Sequence, residues 1–72
     1  MLYKIMVKTK TAPECIEPDL YFTYAVDDKD AKRIVSENLD MRDFWITGAE
    51  PAKLWEITPK SFTIGIRRRQ LN

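Results

Sequence analysis

The sequence predicts an α+β fold: a single two-layer domain, residues 1–72, whose antiparallel sheet of four strands, five if a short aromatic segment joins it, carries one helix on one face. Three observations predict it. Apolar residues recur with a period of two in several short runs, the mark of strands with one packed face. One run recurs instead at helical spacing behind a pair of aspartates. The chain of 72 residues is long enough for one apolar layer between sheet and helix and too short for two domains.

The first strand is read over Leu2 to Thr9, where Tyr3, Ile5 and Val7 oppose Lys4, Met6 and Lys8. Met1 standing directly before it suggests that the native chain begins there. From Lys10 to Asp19, Pro13 and Pro18 flank ECIE and interrupt any ladder, which predicts a surface loop. Leu20, Phe22, Tyr24 and Val26 then alternate with Tyr21, Thr23 and Ala25, a second strand whose first set is expected to face the helix. At Asp27 and Asp28 short carboxylates can cap free backbone N–H groups, so a helix is expected to begin there. Ala31, Ile34, Val35 and Leu39 form its inward stripe.

Met41 to Ile46 is compatible with a short strand, a last helical turn or an aromatic lid, and Gly48 and Pro51 mark a loop through TGAEPA. Lys53 to Thr58 and Phe62 to Arg67 alternate on either side of Pro59, Lys60 and Ser61, which predicts a C-terminal hairpin. Trp55, Ile57, Phe62, Ile64 and Ile66 would join the core. The opposite sheet face, with Lys4, Met6, Lys8, Tyr21, Thr23 and Arg67, would have no second helix over it.

Composition narrows the chemistry. There is no histidine and a single cysteine, Cys15, so neither an intrachain disulfide nor a cysteine-based zinc site can form. Glu14 and Glu17 beside Cys15 oppose thiolate formation. Helix capping accounts for Asp27, Asp28 and Asp30 more simply than a magnesium site does. Gly48 and Gly65, the only glycines, make no phosphate-cradling loop. A non-enzymatic protein without cofactor or metal is therefore expected. No apolar run has the length of a signal peptide core or a membrane span, so no membrane association and a cytoplasmic location are expected.

The net charge of +1 conceals an uneven distribution. Lys4 and Lys8 near the start and Arg67, Arg68 and Arg69 near the end would share one face with Tyr21 if the first and last strands were neighbours. Such a face suits a phosphodiester strand with a base stacked on the ring, or an acidic protein surface. Glu14, Glu17, Asp19, Asp27, Asp28 and Asp30 make an acidic stretch that could dock on a basic protein surface. Trp45, if exposed, would be an aromatic anchor for a protein interface. So small a core also makes a homodimer a reasonable source of stability.

The chain resembles small single-domain accessory proteins of phages and mobile elements. The segment AVDDKDAKRIVSEN is similar to the strand, cap and helix of some anti-CRISPR proteins with one helix on a bent sheet. That resemblance implies binding to, and inhibition or modulation of, a host protein complex that handles nucleic acid. The alternative is a small domain that binds nucleic acid directly through its open sheet face and the three arginines.

Overall fold

The computed structural model describes residues 1–11 and 17–66. Strand β1 spans Leu2–Thr9, β2 Asp19–Tyr24, helix α1 Asp28–Asn38, β3 Phe44–Pro51 and β4 Phe62–Ile64, with one 3-10 turn at Leu54–Glu56. The four strands form one sheet in the order β3-β1-β2-β4. With α1 against it, this is the expected α+β architecture. One pairing differs: β1 is antiparallel to β2 and β3, but β4 runs parallel to β2.

The predicted C-terminal hairpin is thus replaced. Residues 54–56, expected in a strand, form a helical turn; the strand that completes the sheet is β3, which begins at Phe44 to Ile46, where a short strand is one of three expectations, and runs on through the segment read as a TGAEPA loop. β2, β3 and β4 all point one way, and β1 lies against them between β3 and β2. Two parallel strands need a crossover rather than a tight turn. From β2 to β3 the chain crosses as α1 on one face. From β3 to β4 it crosses in the opposite direction over the other face, where Ala52 and Ile57 pack on Leu2 and Phe22. Opposite directions on opposite faces give both crossovers the same hand, as the chirality of twisted strands demands. The face expected to lie open is therefore partly covered by the chain's own C-terminal third.

Register explains which side chains go where. Tyr3 pairs with Thr23 and Ile5 with Tyr21, while Lys4 pairs with Phe22 and Leu2 with Tyr24. Directly opposed residues share a face. Tyr3, Ile5 and Val7 pack under Ala31 and Val35 of α1, as predicted, joined by Tyr21, Ile34, Phe44, Ile46 and Ile64. The phase of β2 is the reverse of the expected one: Thr23 is buried, and Phe22 is fully enclosed on the far side with Leu2 and Ile66. Tyr24, Val26, Trp55 and Phe62, all assigned to the core from sequence, are exposed. Ile66 reaches the far side because Gly65 takes φ +71°, a conformation that an L side chain rarely adopts.

Two local devices fix the ends of these elements. Asp27 caps α1, its Oδ1 accepting from the Asp30 N–H at 2.8 Å, and Asp30 in turn accepts from the Val26 N–H at 3.2 Å. That reciprocal arrangement satisfies donors that a helix leaves unpaired. On β3 a bulge passes Thr47 between Ile46, opposite Val7, and Gly48, opposite Met6. A side chain at Gly48 would place its Cβ 2.8 Å from Met6 Cε, so glycine makes room for Met6 there.

Candidate functional site

Among the described residues, the members of the proposed basic face do not share one side of the sheet. β1 lies between β3 and β2, so it is not a neighbour of the last strand. Lys4 and Lys8 extend from the far face of β1, whereas Tyr21 lies on the helix face. There its ring stacks on Phe62, with centroids 4.8 Å apart and planes 17° from parallel. Burial and the nearby charge of Asp19 push its phenol pKa up. A ring engaged in this way offers no platform to a base on the other face. Arg67, Arg68 and Arg69 lie outside the described residues, as do Glu14 and Cys15.

Lys4 has a structural task. Its side chain is only 19% exposed, and Nζ stands 2.9 Å from both Glu50 Oε1 and Glu56 Oε1. Hydrogen bonding to Glu50 and then to Glu56 raises its pKa above the ordinary lysine value. Glu56 is held below the usual glutamate range, first by the Lys53 backbone N–H at 2.7 Å and then by Lys4. The ammonium is thus neutralised within the fold, and Glu56 fastens the 3-10 turn to the middle of the sheet.

The acidic residues separate into two groups. Glu17 and Asp19 sit before and at the start of β2, and Asp27, Asp28 and Asp30 follow its far end. At about 3.3 Å per residue, the length of β2 puts roughly 17 Å or more between them. Asp27 and Asp30 are committed to the cap, and Asp30 also holds Arg33 through its Nε and NH2 donors, which keeps its carboxyl pKa low. Near the first group a cavity of about 280 Å³ is lined by Glu17, Asp19, Leu20, Thr58, Lys60 and Ser61. The Thr58 and Ser61 hydroxyls bond each other there at 3.1 Å, and the Thr58 N–H donates to Ser61 Oγ at 3.2 Å. No cluster of three potential metal ligands occurs among the described residues.

Trp45 remains as the clearest candidate for contact with a partner. It lies on β3, an edge strand, opposite Lys8 on β1, with 53% of its surface exposed. Its backbone is paired with β1, so the indole is presented from a rigid strand rather than a loop. Sequence reasoning assigned Trp55 to the core and so missed it as a surface residue. The turn is closed by the Lys53 backbone N–H donating to Glu56 Oε2 at 2.7 Å, which the sequence does not announce, since a lysine ammonium has no acceptor with which to cap a helical turn.

No protein-family model matches the chain, and no significant similarity links it to a curated protein or a solved structure. Among the described residues no helix is long and apolar enough to cross a membrane.

Proposed function

We propose that this protein acts by binding another protein, without catalysing a reaction, as a phage-type accessory factor that occupies a complex handling nucleic acid. The observation that carries the reading is Trp45, a large aromatic held half-exposed on a hydrogen-bonded strand. Indoles so placed lose little conformational freedom on docking, which is why tryptophan dominates interface hot spots. The resemblance of residues 25–38 to anti-CRISPR proteins supplies the class of target.

Direct binding of nucleic acid draws less support. Lys4 is already neutralised by two carboxylates, and Tyr21 is stacked on the other side of the sheet. Tagged protein incubated with host lysate, with and without nuclease, tests the proposal. A protein partner should be recovered in both conditions by the native chain and lost with Trp45→Ala. Recovery of no protein in either condition overturns the reading, and salt-sensitive binding of purified oligonucleotides would favour the direct alternative.

A further inference from the structure

One end of the sheet carries an apolar surface that the Trp45 reading leaves unused. It is the end where β2, β3 and β4 finish and β1 begins. Met1, Val26 and Trp55 are 70%, 84% and 80% exposed, and Tyr24 and Leu54 are about half exposed. The backbone gathers them. The Ala25 N–H donates to the Met1 carbonyl and the Ala52 N–H to the Leu2 carbonyl, both within 3.0 Å, and Leu2 pairs with Tyr24. Leu54 and Trp55 sit on the turn that Glu56 ties to Lys4.

We propose that this end is a two-fold interface between two copies of the chain. Area favours a second copy. At residue areas on the order of 150–250 Å², the five leave on the order of 600 Å² exposed, near the ~800 Å² that each partner gives a standard interface. A core of this size also gains from association.

Charge selects the same occupant. Asp28, one residue into α1, lies on the β2 side of this end, and Lys53 lies on the β3 side, with the start of β1 between them. Two strand spacings separate the two sides, about 10 Å. A two-fold axis near Met1 lays Asp28 of each copy against Lys53 of the other, the self-complementarity that an isologous contact requires. The surface is distinct from Trp45, so the proposal stands or falls separately from the binding function.

Sedimentation of the purified full chain from micromolar to millimolar concentration, with no partner present, tests it. Twice the chain mass is expected at the upper end, and a monomer throughout overturns the proposal. Val26→Asp and Trp55→Ala alter exposed side chains and should leave the circular dichroism spectrum intact while abolishing the dimer; a dimer that persists in both overturns it. Asp28→Lys and Lys53→Asp should each weaken self-association about tenfold. Mixing these two variants should restore a dimer, because both cross-contacts then pair opposite charges. Failure of the mixture to associate excludes the two-fold geometry. Trp45→Ala should leave the dimer unchanged, and its loss in that variant would move the interface elsewhere.

Discussion

The two faces of the sheet are closed by different means. On one, α1 lays Ala31 and Val35 across Tyr3, Ile5 and Val7, a periodic stripe on a periodic strand. On the other, an irregular crossover sets Ala52 and Ile57 over Leu2 and Phe22, Ile66 joins them from beyond β4, and one lysine with two glutamates holds the crossover down. A helix satisfies its own backbone and arrives with a complete apolar face. A crossover without regular structure has to be pinned by side chains, so its cover is smaller and large apolar groups remain at its margin. The difference locates the candidate interaction surfaces on and beside the second face.

Removing the filling of that face should be the most damaging change. Phe22→Ala takes a fully buried ring from beneath the crossover and should cost about 3–5 kcal/mol, as much as the whole stability expected of so small a domain. Denaturant titration should find no cooperative transition, whereas Phe22→Leu should retain one. A smaller effect is expected just past β4, where the chain turns Ile66 onto that face. At Gly65 an added Cβ meets nothing within 4 Å, so Gly65→Ala pays only for φ +71°, about 1–2 kcal/mol. The midpoint of urea unfolding should fall accordingly, with Ile66 more accessible.

The matching change on the helix side is Asp27→Ala, which removes the cap and should cost about 1 kcal/mol, seen as a lower thermal midpoint. Asp27→Ser, which keeps an acceptor, should recover most of it. The smallest effect belongs to the tie between crossover and sheet. Glu56 has a folded pKa below its ordinary value of 4.5, so its contribution is complete above that pH and is lost as pH falls through the lower folded value. Glu56→Gln should lower the thermal midpoint slightly at neutral pH and leave the midpoint less dependent on pH below 4.5 than in the native chain. An unchanged acid profile would show that the tie contributes nothing to closing the second face.

Legibility followed the locality of the forces. The candidate anchor Trp45 could be named from sequence, but its exposure could not, since an indole suits a core and an interface equally well. The same ambiguity misplaced Trp55. Tyr21 and Lys4 were individually reasonable members of a binding face, and only the strand register and the crossover sent one to the helix side and neutralised the other.

What the sequence by itself determined is β1, with its clean alternation of apolar and polar residues, and α1, with its aspartate cap and its apolar stripe of Ala31, Ile34 and Val35. Both are specified by contacts within a few residues. Only the tertiary structure decided the phase of β2, the choice of a strand for Phe44 to Ile46 with its extension to Pro51, and the parallel placement of β4. In β2 the residues Leu20, Tyr21, Phe22 and Tyr24 give both faces apolar character, so a period of two cannot say which face meets the helix. The pairing of Tyr21 with Ile5 and of Phe22 with Lys4 settled it, through a register that no local pattern encodes. β3 includes glycine, a bulge and a terminal proline, which read locally as a loop and become a strand because β1 offers them a free edge. A crossover's destination depends likewise on which edge remains unpaired, a property of the assembled sheet rather than of any segment within it.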